Sequence, residues 1–155
     1  MITRRTWLAR TGGAALLVLA GRRADAASIF AKPRLVVYRD PGCGCCLAWV
    51  DHMRASGFDV EVHDDTSMPE RKDLMGVPAA LRSCHTGTLG SYVIEGHVPA
   101  SDVQRLLKER PKVLGLASPG MPMSAPGMAQ PGAKKVPYDV IAFEKGGVTR
   151  VYARH

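Results

Sequence analysis

The sequence lacks the features of a membrane protein and of a nucleic-acid-binding protein. Its apolar run at residues 14–20 is shorter than the roughly 20 residues of a membrane-spanning helix, and Arg22 and Arg23 follow it closely. Aromatic residues make up only 6% of the chain, and they are not interleaved with a basic stripe, so nucleic-acid binding is not indicated. The sequence also contains no internal repeat.

Residues 1–26 have the features of an export signal. Residues 3–8 (Thr-Arg-Arg-Thr-Trp-Leu) resemble a twin-arginine signal, and residues 24–26 (Ala-Asp-Ala) have the small-x-small form of a cleavage site. The segment contains no cysteine, so a lipid anchor is not expected there. We therefore expect export to the periplasm and no membrane attachment after cleavage, although the short apolar core leaves uncleaved export open.

Most of the positive charge of the chain lies in this leader. The chain has 21 basic and 14 acidic residues, and residues 1–26 hold five arginines and one aspartate of these. The remaining 129 residues carry 16 basic and 13 acidic side chains, a net charge of +3. This balance gives no sign of a nucleic-acid partner, and the length suits a single domain.

Three of the four cysteines lie within four residues, at positions 43–46 (Cys-Gly-Cys-Cys). A strand-like run and a Pro-Gly turn precede them, and a helix-like segment follows at residues 47–56. This order is typical of a thioredoxin-type redox site, in which Cys43 and Cys46 have the C-x-x-C spacing. The partial positive charge at a helix N-terminus favours thiolate over thiol. The cluster therefore predicts redox chemistry, soft-metal binding, or both.

Two structural disulfides are the ordinary use of four cysteines in an exported protein. That arrangement fits this sequence poorly, because three cysteines in four residues can link little of the fold. The neighbours Cys45 and Cys46 also cannot both reach Cys84. We therefore expect the cysteines to serve chemistry rather than cross-linking.

The apolar pattern predicts an α/β domain that opens in the order strand, helix, strand, helix, with a parallel strand pair. The predicted strands are residues 35–39, 58–63, a third that begins at Cys84, 91–95, 138–144 and 148–153. The predicted helices are residues 47–56, a segment that begins after Ser67, 78–83 and 99–110.

The position of Cys84 depends on how residues 77–83 fold. A helical piece at residues 78–83 places Cys84 at the start of the third strand, beside the cysteine cluster. The alternative starts the strand near Val77, makes Pro78 a cis-proline and places Cys84 at the far end. We prefer the first arrangement because residues 79–82 (Ala-Ala-Leu-Arg) have helical propensity.

We expect residues 34–112 to form a thioredoxin-like core, and residues 113–155 to form a metal-binding extension and a β-hairpin packed on it. In the extension, residues 118–128 are rich in Pro, Gly and Met and contain no charged side chain, so no regular element is expected. A disordered linker is the ordinary interpretation of such a segment. Methionine, however, is a neutral soft ligand for Cu(I), which makes Met121 and Met123 candidate ligands.

Thiolates together with thioethers select Cu(I), whereas zinc has little use for methionine. A thiolate sulfur can bridge two Cu(I) ions, so the cluster suits several coppers. The two candidate histidines are His85, next to Cys84, and His97, in a loop expected at the same end of the sheet. The candidate metal ligands are Cys43, Cys45, Cys46, Cys84, His85, His97, Met121 and Met123. Alternatively, Cys43 and Cys46 act as a catalytic dithiol and disulfide pair.

Several separated motifs together resemble one family: residues 38–46, 83–86, 92–99, 115–117 and 119–122. It is the bacterial domain-of-unknown-function family 411, which includes CopG-like copper-resistance proteins, and the resemblance covers nearly all of residues 34–144. It implies a periplasmic thioredoxin-like domain whose C-terminal extension helps to bind metal, with copper held at the C-x-C-C motif by bridging cysteine sulfurs. It also implies interconversion of Cu(I) and Cu(II) in copper tolerance, upstream of efflux. The twin-arginine leader is not implied by the family.

We therefore expect a periplasmic, monomeric copper-binding protein with Cu(I)/Cu(II) redox activity, whose partners are copper-efflux or copper-handling proteins. One alternative is a metal-free thiol–disulfide oxidoreductase that uses Cys43 and Cys46. Cys45 and the methionine-rich segment argue against it, because neither helps disulfide exchange. The other alternative is a passive copper chaperone or store, which the sequence does not separate from a redox protein.

Overall fold

The computed structural model describes residues 31–130 and 132–155. The predicted export signal, residues 1–26, lies outside these residues. Within the described part of the chain, none of the helices is both long enough and apolar enough to cross a membrane.

The described residues form a mixed α/β fold around one seven-stranded sheet with the strand order β2-β1-β3-β4-β5-β6-β7. β1 is parallel to β2 and β4 is parallel to β5, while the other four neighbouring pairs are antiparallel. The strands are β1 (Arg34–Arg39), β2 (Asp59–Asp64), β3 (His85–Leu89), β4 (Tyr92–Gly96), β5 (Gly115–Ser118), β6 (Asp139–Phe143) and β7 (Thr149–Arg154).

Within residues 31–130 and 132–155, three α-helices accompany the sheet: α1 (Gly44–Ala55), α2 (Met68–Leu74) and α3 (Ala100–Glu109). Apolar side chains cover both faces of the sheet, because neighbouring residues of one strand point to opposite faces. On β4, Ile94 joins the larger cluster with Trp49 of α1 and Leu106 of α3, whereas Val93 joins a smaller one. Each large side chain that is fully buried in this way contributes about 1.5–3 kcal/mol.

The α/β class and the opening order of strand, helix, strand, helix are confirmed. Helix α1 begins three residues earlier than predicted, at Gly44, so that Cys45 and Cys46 lie in its first turn. The helical piece expected at residues 78–83 is a 3₁₀ turn over Ala79–Leu81. The described residues contain no cis peptide bond, so the alternative with a cis Pro78 is wrong.

Strand β5 (Gly115–Ser118) was not predicted from the sequence. All four of its residues are buried, and it lies between β4 and β6. Gly, Ala and Ser have low strand propensity, so a local pattern gives little signal here. The hydrogen bonds that two neighbouring strands supply override that preference.

Candidate metal centre

The topology brings the segments that carry the candidate ligands to one edge of the sheet. The three-cysteine segment follows the end of β1, and Cys84 directly precedes the antiparallel β3. His97 follows the end of β4, and the methionine-rich segment follows the parallel β5. Because β4 is antiparallel to β3, all four of these segments meet at the same edge. The preferred arrangement of Cys84 is therefore confirmed.

The three neighbouring cysteines form a compact group of sulfurs. The Sγ atoms of Cys43, Cys45 and Cys46 all lie within 4.8 Å of one another, and Cys43 Sγ is 3.6 Å from Cys45 Sγ. Cys43 and Cys46 form a disulfide with a Cα–Cα distance of 5.5 Å, whereas Cys45 and Cys84 are free thiols. The alternative of two structural disulfides is therefore wrong. The C-x-x-C pair stands in its oxidised form, and its reduction yields four thiols.

Hydrogen bonds made by Arg39 and Asp40 hold the turn that precedes α1. The Asp40 carboxylate accepts a hydrogen bond from the Gly42 N–H at 2.8 Å, and the Asp40 carbonyl accepts one from the Cys43 N–H at 3.0 Å. Arg39 Nη1 donates to the Cys43 carbonyl at 3.0 Å. These bonds hold Cys43 at the N-cap of α1, directly before the helix that carries Cys45 and Cys46.

Cys84 is tied to the same turn and lies beside a methionine. Its carbonyl accepts a hydrogen bond from the Asp40 N–H at 3.2 Å, and its Sγ lies 3.3 Å from Met121 Sδ. Partial burial raises the pKa of the Cys84 thiol, and the nearby Cys45 raises that pKa further. The thiolate of Cys84 therefore benefits from a positive partner such as a metal ion, which deprotonates a coordinating thiol.

The methionine-rich segment folds back onto the core. Gly127, with φ of +80°, lies against α1, and a Cβ at this position would be 2.6 Å from the Trp49 backbone nitrogen. The Pro126 carbonyl accepts a hydrogen bond from His97 Nδ1 at 2.8 Å. Met121 has a left-handed φ of 46°, which costs a residue with a side chain about 1–3 kcal/mol. These contacts make the segment part of the domain rather than a separate linker.

Met123 lines a groove that has no cysteine among its lining residues. Its side chain is 52% exposed, and it shares this groove of about 510 Å³ with Lys134, Tyr138 and His155. Of the two candidate methionines, the structure thus brings Met121, and not Met123, to a cysteine sulfur.

His85 and His97 are fully buried side by side. Their ring centroids are 5.0 Å apart, and the His85 ring also packs on Trp49 with a centroid distance of 4.5 Å. Among the described residues, Nε2 of His97 lacks a hydrogen-bond partner, and His85 has no ring hydrogen bond of good geometry. Burial lowers the pKa of His85 to about 3, although the Gly96 backbone lies close enough to raise that pKa slightly, so this ring is neutral at pH 7. Burial also lowers the pKa of His97. Neutral imidazole nitrogens can bind metal ions in general. Among the described residues, however, the donor group of metal-binding size is Cys43, Cys45 and Cys46, without either histidine.

A buried ion pair beside this site was missed from the sequence. Lys72 of α2 and Glu95 of β4 lie 2.7 Å apart, with exposures of only 4% and 0%. Burial raises the pKa of Glu95, and the neighbouring Lys72 opposes that rise. One signal was present in the sequence, since Glu95 is the single charged residue of the otherwise uncharged strand β4.

Comparison with known proteins agrees with this arrangement. The family described as "Protein of unknown function, DUF411" matches residues 81–128. Two solved structures, "Copper resistance protein copG" forms 1 and 2, are each 39% identical with a TM-score of 0.76. They cover 81% of this chain, which in turn covers 98% and 99% of theirs. The chain belongs to the DUF411 family.

No curated protein matches the chain. The DUF411 match contains Cys84, both candidate histidines and both candidate methionines, while the three-cysteine turn precedes it. The predicted family is therefore confirmed.

Proposed function

We propose that the protein binds copper at its C-x-C-C motif and interconverts Cu(I) and Cu(II) in copper tolerance. The observation that carries the proposal is the set of sulfurs at one sheet edge. Three cysteine sulfurs lie within 4.8 Å of one another, and on the neighbouring segment before β3 the Cys84 sulfur lies 3.3 Å from the Met121 thioether. Thiolates with a thioether suit Cu(I) better than zinc. The two similar structures are named copper resistance proteins, which supports copper among the soft metals.

We propose that residues 34–112 are a thioredoxin-like core. In support, the order β1-α1-β2-α2-β3-β4-α3 builds the sheet order β2-β1-β3-β4, with a C-x-x-C disulfide at the N-terminus of α1. Residues 113–155 add β5, β6 and β7 to the same sheet and supply the docked methionine segment.

In this proposal Cys43 and Cys46 supply the electrons. Their two thiols form the S–S bond and release two protons and two electrons, which reduce two Cu(II) ions to Cu(I); the reverse reaction returns the dithiol. Cys45 and Cys84 remain thiols when that bond is present. With Met121 they are the soft donors left to hold Cu(I), and His85 and His97 offer neutral nitrogen donors.

The protein would act in the periplasm as a monomer, after removal of residues 1–26. Its copper would pass to or from copper-efflux or copper-handling proteins. Met121 is 40% exposed, and Cys45 and Cys84 are partly exposed, so a partner can approach soft donors without opening the core.

The reduced protein should bind more than one Cu(I) ion per chain and prefer Cu(I) to zinc, because four thiols and a thioether are available. Competition with a Cu(I) chelator under anaerobic conditions, followed by metal analysis, measures both quantities. The protein with its disulfide intact is the matched control and should bind fewer ions, since two sulfurs are then unavailable. One tightly bound zinc without tight copper would contradict the proposal.

The Cys43–Cys46 disulfide also favours a second candidate, metal-free thiol–disulfide exchange. Such an oxidoreductase would reduce a disulfide substrate repeatedly in the absence of copper. The copper protein would not reduce such a substrate repeatedly. Cys43 is only 8% exposed and Cys46 is fully buried, so a disulfide of another protein has little access to either sulfur. Turnover assays on copper-free protein separate the two functions.

Met121→Leu should weaken Cu(I) binding, because leucine keeps the apolar bulk but removes the sulfur that lies 3.3 Å from Cys84 Sγ. We expect a loss of about 10-fold or more, the scale seen when a metal site is disturbed. Met123→Leu is the matched control, since Met123 lines the separate groove, and it should leave the affinity unchanged. Equal effects of the two substitutions on chelator competition would show that the structure places the wrong methionine at the site.

A further inference from the structure

A buried polar network brackets the segment that carries Cys84. Glu95 Oε1 accepts hydrogen bonds from the Ser83 backbone N–H at 2.5 Å and from Lys72 Nζ at 2.7 Å. Glu95 Oε2 accepts one from the Thr86 hydroxyl at 2.6 Å, and Lys72 Nζ also lies 2.6 Å from that hydroxyl. Thr86 is fully buried, like the carboxylate that it contacts.

Stability alone explains this ion pair poorly. Removing two charges from water costs several kcal/mol per ion, and a well-packed apolar pair is often as stable or more stable. The network instead satisfies a backbone N–H on one side of Cys84 and a side chain on the other. Glu95 Oε1 bonds to Ser83, before Cys84, and Glu95 Oε2 bonds to Thr86, after it.

The bonds of Glu95 therefore define the path of residues 83–86. Glu95 and Thr86 are also cross-strand partners in the β3–β4 pairing. On the other side, the Cys84 carbonyl accepts the Asp40 N–H, which links this segment to the turn before the three cysteines. A shift of residues 83–86 would thus move the Cys84 sulfur relative to Met121 and to the cysteine turn.

We propose that Glu95, held by Lys72, is a positioning residue of the metal centre, which fixes the Cys84 thiol in the place where it can share a metal ion with the other sulfurs. The part that concerns copper rests on the proposed function. The part that concerns the position of Cys84 does not, because it applies to the metal-free protein.

Two double variants separate positioning from a purely structural role. Lys72→Met with Glu95→Leu removes the network and leaves no buried charge. Lys72→Met with Glu95→Gln also removes both charges, but the Gln carbonyl can still accept from the Ser83 N–H and its amide can donate to Thr86. The second variant is therefore the conservative rescue of the first.

The first readout is the alkylation of Cys84 in metal-free protein. With the Cys43–Cys46 disulfide intact, only Cys45 and Cys84 react with N-ethylmaleimide, so Cys45 is an internal reference. We expect the Leu variant to raise the rate at Cys84 about 10-fold over that at Cys45, measured by peptide mass spectrometry, which corresponds to about 1.4 kcal/mol. The Gln variant should retain the ratio of the wild type.

The second readout is Cu(I) affinity of the reduced proteins by chelator competition. We expect a loss of about 10–100-fold in the Leu variant, as for other residues that orient metal ligands, and near wild-type affinity in the Gln variant. A Leu variant that folds and keeps both the alkylation ratio and the copper affinity would overturn the proposal. Wild-type protein that binds no copper would refute the proposed function, while the alkylation ratio would still decide the role of Glu95.

Thr86→Val is the second test if the Leu variant does not fold. It removes one of the two flanking bonds and introduces no charge. Selective acceleration at Cys84 supports positioning, and an unchanged ratio overturns it.

Discussion

Replacement of Gly115 by alanine should destabilise the domain by more than about 3 kcal/mol, at or above the upper end for an overpacked core site. A Cβ at this position would lie 1.9 Å from the Val93 carbonyl oxygen and 2.8 Å from Phe143 Cζ. The first contact is with backbone, so no change of rotamer relieves it. Since β5 lies between β4 and β6, the strands themselves must separate. An ordinary domain is stable by only about 5–15 kcal/mol, so this loss is large.

Urea denaturation followed by circular dichroism measures the effect. Gly44→Ala is the matched control, because nothing lies within 4 Å of a Cβ there and Gly44 is the first residue of α1. Alanine is favoured over glycine by about 0.5–1 kcal/mol in the middle of a helix and by less at its first residue, so the control should be neutral or slightly stabilising. A Gly115→Ala protein with the urea midpoint of the wild type would mean that β5 does not lie between its two neighbours.

The same glycine explains why β5 escaped prediction. The strands β1 and β6 contain β-branched and aromatic residues and were predicted from their own sequences. The sequence of β5, Gly-Leu-Ala-Ser, has small residues where the neighbouring strands approach closely. The neighbouring strands β4 and β6 leave room only for a small residue at Gly115. The local sequence of β5 does not reveal this requirement.

Part of the candidate site was predictable from the sequence, and part depended on tertiary packing. The cysteine turn was placed by the strand pattern that precedes it. Cys84 was placed by the helical propensity of residues 79–82, part of which forms the 3₁₀ turn Ala79–Leu81. The choice between Met121 and Met123 was not predictable, since it depends on left-handed backbone at Gly120 and Met121. The contact of Lys72 with Glu95 joins α2 to β4 and is a product of tertiary packing.

Anaerobic addition of Cu(II) to the reduced protein should yield two Cu(I) ions per chain and the Cys43–Cys46 disulfide, because a dithiol gives up two electrons when its S–S bond forms. The structure holds these two sulfurs in the bonded arrangement, with Cys45 and Cys84 left as thiols. A Cu(I)-specific chelator measures the ions, and peptide mapping identifies the disulfide. Cys46→Ser removes the partner of Cys43 and should abolish the rapid two-electron reduction.

Cys45→Ser is the matched control, because it keeps the C-x-x-C pair and removes a neighbouring thiol. It should reduce two Cu(II) ions as the wild type does, yet hold the resulting Cu(I) less tightly, since only Cys84 and Met121 then remain as sulfur donors beside the disulfide. This separation of electron supply from copper retention distinguishes the redox protein from a passive store, in which both substitutions would lower binding and neither would change the oxidation state. If copper arrived and left as Cu(I) with four thiols intact, or if the disulfide formed between Cys45 and Cys84, the assignment of Cys43 and Cys46 as the electron source would be wrong.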